Sequence, residues 1–78
     1  MKPGDAVIKD DSLKTLGLTY HAQPASAIFY WLQPGDLAMV IAHMESGELT
    51  RNVLLLCNGH IGWASESNVQ ARCTWRST

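Results

Sequence analysis

VLLLCNGHIGWASESNV, residues 53–69, is an apolar run, an Asn-Gly pair, a second apolar run with a Gly-Trp step, and a polar corner that ends on Val69. Asn58-Gly59 is a strong hairpin signal, because a two-residue type I′ turn needs positive φ at both centres, which Asn tolerates and Gly adopts freely. That turn sets the register: Cys57 opposite His60, Leu56 opposite Ile61, Leu55 opposite Gly62, Leu54 opposite Trp63 and Val53 opposite Ala64. Side chains alternate along a strand. One face therefore carries Val53, Leu55, Cys57, His60, Gly62 and Ala64, and the other Leu54, Leu56, Ile61 and Trp63. Both faces are apolar, whereas an antiparallel hairpin commonly turns one face to water. The corner Ser65-Glu66-Ser67-Asn68 reads as one turn of 3₁₀ helix. Val69, Ala71 and Cys73 alternate as a closing strand.

Upstream, Pro-Gly-Asp occurs twice, at Pro3-Gly4-Asp5 and Pro34-Gly35-Asp36, each followed by an apolar run. A spacing of 31 residues would suit a solenoid if a third copy existed. With two copies, the reading is two strands of one sheet, each entered through a Pro-Gly turn. The first is Ala6-Val7-Ile8. The second is a central strand over residues 35–44, with Leu37, Met39 and Ile41 on one face and Ala38, Val40 and Ala42 on the other. Glu45-Ser46-Gly47-Glu48 is the next turn, and residues 49–57 are the strand that enters the hairpin. Residues 10–33 are a long irregular insertion after the first strand. Asp11–Gly17 has a helix cap and stop, yet Leu16, Leu18 and Tyr20 alternate as in a strand. Residues 27–32, AIFYWL, are apolar on both faces and read as a short strand or extended arm.

These features together resemble SH3-like barrels, in which a distal hairpin leads through Gly-aromatic and a 3₁₀ turn to a closing strand that starts on Val. The Pro-Gly-Asp start and the Asn58-Gly59-x-x-Gly62-Trp63 end are especially similar to short SH3-like proteins encoded by bacteriophages. The resemblance implies an all-β fold, a small five-stranded barrel in one domain over residues 1–78. It also implies a virion component or small accessory protein, in the cytoplasm of a host cell or in the virion. It does not extend to the peptide-binding SH3 domain. The tyrosine-rich first strand is absent, Arg51-Asn52 stand where the paired Trp belongs, and Ser65 replaces the corner Pro. Fold alone leaves function open, because this barrel hosts many unrelated roles.

A chain of 78 residues makes one domain and buries only ~60–65% of its unfolded surface. It is 46% hydrophobic and 17% charged, with a formal net charge of −1, which is globular and lacks the basic footprint of a nucleic-acid binder. No apolar run approaches the ~18–20 residues that span a bilayer. Two cysteines make no disulfide framework and no signal peptide is recognisable, so the thiols are expected reduced, in a cytosol.

No catalytic constellation, cofactor motif or metal spacing is present. Cys57 and His60 across the hairpin turn lack metal-site spacing. As a nucleophile and base they lack a pocket and an orienting third group. Asp5, Asp10, Asp11 and Asp36 are read as turn chemistry. Arg72, Trp75 and Arg76 form an Arg–aromatic tail that suits base stacking, a protein anchor, or Trp75 folding back on the barrel. Leu54, Leu56, Ile61 and Trp63 are the principal candidate binding face, with Trp31 and Trp75 as further anchors. Burying each such side chain is worth ~1.5–3 kcal/mol, so a face of four calls for a cover. Either residues 10–33 fold over it, or another subunit or protein partner does. The sequence reading is therefore a non-catalytic protein-binding or structural module, with nucleic-acid binding through the Arg/Trp tail as the alternative.

Overall fold

The structure, a computed structural model, describes residues 1–11, 13–22, 26–44 and 51–76. The strands are β1 (Ala6–Lys9), β2 (Leu16–Thr19), β3 (Ile28–Leu32), β4 (Leu37–His43), β5 (Val53–Cys57), β6 (His60–Ala64) and β7 (Cys73–Arg76), with one helix, α1 (Glu66–Arg72), before the last. They form a single antiparallel sheet in the order β3-β2-β6-β5-β4-β1-β7, curled into a half-barrel. The expected all-β class therefore holds, and the sheet of the described residues has seven strands.

The β5–β6 hairpin has the register that its turn dictates, from Cys57↔His60 to Val53↔Ala64. Asn58 and Gly59 both have positive φ, 51° and 80°. Val53, Leu55, Cys57, Gly62 and Ala64 point into the core, and His60 at the turn is exposed. On β4, Ala38 and Val40 are buried while Leu37, Met39 and Ile41 are exposed. The β4–β5 register shifts between Val40 and Ala42, so one extra residue is accommodated there. The expected turn at residues 45–48 and the strand start at 49–50 lie outside the described residues.

The two Pro-Gly-Asp copies form equivalent turns. Gly4 and Gly35 have φ of 94° and 88°, as the third position of a type II turn after Pro requires. The Asp5 amide donates to the Lys2 carbonyl (3.1 Å) and the Asp36 amide to the Gln33 carbonyl (2.9 Å). Each Asp carboxylate accepts the amide three residues back, Lys2 at 3.0 Å and Gln33 at 2.8 Å. The copies sit at opposite ends of the β1–β4 ladder. Gly4 N donates to Val40 O and Val40 N to Asp5 O, just as Gly35 N donates to Lys9 O and Lys9 N to Asp36 O. The spacing of 31 maps residue 4 onto 35 and 9 onto 40, so the repeat is a local two-fold within one strand pair. Each carboxylate also takes an aromatic donor, Trp75 Nε1 on Asp5 (3.0 Å) and the Tyr30 hydroxyl on Asp36 (3.4 Å).

Two expectations are corrected. The described part of residues 10–33 is not irregular throughout: β2 and β3 pair along Leu16↔Leu32, Gly17↔Trp31 and Leu18↔Tyr30, and β2 joins β6 at Thr19↔Trp63. This hairpin puts Leu16, Leu18 and Leu32 into the core. The corner after β6 is a seven-residue α-helix, and the closing strand begins at Cys73. Val69, the anticipated strand start, is the buried residue of α1. Ser65 makes no side-chain cap; the Asn52 side-chain oxygen accepts the Glu66 amide instead (2.9 Å), satisfying one of the free amides of the helix start.

Candidate interaction face

The outer side of the sheet is built by alternation on three neighbouring strands. β5 contributes Leu54 and Leu56, and β6 contributes Ile61 and Trp63. Opposite residues of an antiparallel pair share a face, so Met39↔Leu56 brings in β4 with Leu37 and Ile41. Leu56 and Ile61 are exposed, at 36% and 54%, while Leu54 and Trp63 are half-buried. Leu37 (59%), Met39 (52%) and Ile41 (37%) extend the patch. None of these seven side chains carries a charge. An exposed apolar patch of several hundred Å² is the scale that marks an interaction surface. The β4 contribution was missing from the sequence reading of the site, although the alternation of residues 37–41 was its signal.

The described residues of 10–33 do not cover this face. The β2–β3 hairpin extends the sheet edgewise beyond β6, its leucines enter the core, and Phe29 lies over the inner side of Gly62. On that side Tyr20 stacks on Phe29 (centroids 4.1 Å) and Tyr30 on His60 (4.2 Å). The Asn58 side-chain amide donates to the Tyr30 hydroxyl (2.8 Å).

The remaining sequence candidates separate. Trp75 is opposite Val7 on β1, 44% exposed, with its indole on the Asp5 carboxylate. Arg72 ends α1 and donates from Nη1 to the Thr15 carbonyl (2.6 Å). The side chain of Arg76 lies outside the described residues. Trp31, on β3, is 47% exposed and stands across from Gly17. The Arg–Trp tail is thus not one cluster: Trp75 folds back on β1 while Arg72 turns toward β2.

Cys57 and His60 are register partners, but the thiol is in the core and the imidazole stacks on Tyr30. Burial, with the Asp36 charge second, pushes the Cys57 thiol up, and a hydrogen bond with Tyr30 offsets part of this. Burial pushes Cys73 up to about 11; Lys9 opposes the shift, while Asp10 and Cys57 add to it. A raised thiol pKa means the native state holds its proton longer than the unfolded chain. The associated stability is complete below about pH 9 and is lost as pH rises through about 11. Unfolding titrations at pH 8 and pH 11 are expected to show a loss on the order of 2–3 kcal/mol that Cys73→Ala removes. An equal pH dependence in the variant would refute the assignment.

Among the described residues, no group of three or more His, Cys, Asp and Glu is arranged to hold a metal, and no helix is long and apolar enough to cross a membrane. No protein-family model matches the chain, and the searches of curated proteins and of solved structures return no match.

Proposed function

We propose that this chain is a non-catalytic interaction module that docks protein on the outer face of β4, β5 and β6. The observation that carries this reading is the uncharged patch of Leu37, Met39, Ile41, Leu56 and Ile61, left open by every described segment. An uncharged face suits a second copy of itself, because apposition across a two-fold places no like charges together. Self-association is therefore the form in which docking is tested first. The reading includes an SH3-like barrel, with β1, β4, β5, β6 and β7 as its five strands and the β2–β3 hairpin as an insertion. Supporting it are the Pro-Gly-Asp entry to β1, the Asn-Gly hairpin with its Gly62-Trp63 step, and the helical turn before the closing strand. The likeness of these motifs to short bacteriophage proteins motivates a role as a virion or accessory component, inside a host cell or in the virion. Tail-mediated nucleic-acid binding has less support, because Trp75 is held by Asp5 and Arg72 by Thr15.

Light scattering behind a sizing column, over a tenfold range of concentration, tests the proposal. The expected result is a dimer or larger species that Ile61→Lys converts to a folded monomer, whose thermal midpoint no longer depends on concentration. Ile61 is 54% exposed, so the substitution costs the isolated fold little. A wild-type monomer throughout the range would exclude self-docking. A species of unchanged mass in Ile61→Lys would place the contact elsewhere.

A further inference from the structure

A second site lies where the β2–β3 hairpin meets α1. A cavity of about 150 Å³ is bounded there by Arg51, Arg72, Ser65, Asn68, Gly17 and Trp31, together with Thr15, Leu16 and Ile28. Two arginines share its lining, and none of these lining residues is acidic. Neither arginine is in an ion pair among the described residues. Two carboxylates of the neighbouring backbone, Glu66 on α1 and Asp10, whose amide donates to the Arg72 carbonyl, are engaged elsewhere. Glu66 Oε2 takes the Met1 amino group (3.1 Å) and stands 3.2 Å from His43 Nε2, and Asp10 takes Lys9 Nζ (3.3 Å). Arg72 is fixed by its Nη1 bond to Thr15, yet its Nε is buried with no hydrogen-bond partner. A buried N–H without an acceptor is costly, and an oxyanion paired with the other guanidinium nitrogens offsets that cost through charge-assisted bonds.

The shape narrows the class of anion. A water's share of liquid volume is about 30 Å³, so a cavity of about 150 Å³ takes on the order of five heavy atoms, the size of a phosphoryl group. The side chains of two arginines, Ser65 and Asn68 together carry more donors than one carboxylate would use, although the Ser65 hydroxyl also shares a bond with the Ser67 hydroxyl (2.8 Å). The apolar side is closed by Ile28 and Trp31, which press on the Gly17 backbone so closely that a Cβ there would stand 2.6 Å from Ile28 Cγ2. Trp31 remains 47% exposed, a flat surface on which a ring at the mouth can stack. We propose that this cavity binds the phosphoryl group of a nucleotide whose base stacks on Trp31. This site is independent of the apolar outer face and of the docking reading.

The test uses the full chain, ¹⁵N-labelled, titrated with inorganic phosphate, adenosine 5′-monophosphate, a short single-stranded oligonucleotide and a glutamate-rich peptide. Phosphate and the mononucleotide are expected to move the Arg72 Nε–H resonance, and the mononucleotide also the Trp31 indole. The mononucleotide is expected to bind roughly tenfold tighter than phosphate, the contribution of one stacked base. Trp31→Leu should erase that tenfold difference and leave phosphate binding intact. Arg51→Gln should weaken both by roughly tenfold; should it fail to fold, Arg51→Lys, which keeps the charge without the fork, should weaken both several-fold. Tighter binding of the oligonucleotide per nucleotide assigns the site to a polynucleotide, and equal binding to free nucleotide. An unmoved Arg72 Nε–H at millimolar nucleotide, affinity indifferent to Arg51, or a peptide that binds there as well as nucleotide would overturn the proposal.

Discussion

Gly62→Ala is expected to destabilise the fold by about 1–3 kcal/mol, the usual cost of overpacking a filled interior, and Gly62→Val by more. A Cβ on Gly62 would stand 2.6 Å from Leu18 Cβ and 2.9 and 3.0 Å from ring atoms of Phe29. Neither neighbour gives way easily. Leu18 Cβ is tied directly to the β2 backbone, and shortening Leu18 to Ala would leave that atom in place. Phe29 is held in its stack on Tyr20. Relief must come from moving β2 away from β6, and these strands are registered only through Thr19↔Trp63. The Thr19 hydroxyl, which donates to the His21 carbonyl (2.7 Å) and approaches that of Trp63 (3.4 Å), would be disturbed with it. A domain of 78 residues has roughly 4–12 kcal/mol in all, so the substitution removes a large share. Urea titration is expected to show a lower midpoint with a similar slope. A midpoint within error of wild type would mean that β2 is not seated against Gly62.

The same glycine shows what was legible in the sequence. Asn58-Gly59 sets the register, and alternation then sorts Leu55 and Gly62 to one side and Leu56 and Ile61 to the other; both steps are local chemistry. Residues 27–32 read as a short strand or arm and Leu16, Leu18 and Tyr20 alternate, but their pairing into a hairpin over Gly62 was not legible. Residues 28–32, IFYWL, carry no polar alternation to reveal a face, and β2 contains Gly17, which suggests a stop as readily as a strand. Those two strands become a hairpin because their leucines complete a core that the rest of the chain leaves open. The helix after β6 was hidden for a related reason. Its seven residues bury one apolar side chain, Val69, so no 3.6-residue period can appear, and its start is satisfied by Asn52 from 14 residues upstream. The arginine cavity is further still from any sequence signal. Trp31, Arg51 and Arg72 lie about 20 residues apart from one to the next and meet only through the sheet and helix. Trp75 was legible in part: folding back on the barrel is one of the three readings of the tail, while its partner Asp5, 70 residues away, comes only through pairing with β1.

Leu55→Ala and Leu56→Ala form the pair on which the two-faced sheet stands. Leu55 is fully buried, paired with Val40 on one side and Gly62 on the other. Gly62 offers no side chain, so Leu55 fills the space facing it together with Leu18 and Phe29. Truncation to Ala there is expected to cost about 2–5 kcal/mol, because the strands around the new cavity are hydrogen-bonded on both edges and collapse only in part. Leu56, one residue on, is 36% exposed and faces out, so its truncation should cost the isolated chain less than about 1 kcal/mol. The contrast depends on concentration in a way that tests the docking face. Association couples to folding by mass action, so the cost of Leu56→Ala should grow as the protein is concentrated, while that of Leu55→Ala should also include a large part that does not. Equal costs for both leucines in dilute solution would mean the outer face is already covered within one chain, and the interaction surface would then have to be sought elsewhere. A small cost for Leu56→Ala that stays constant with concentration would leave the fold as described and remove self-association as the use of that face.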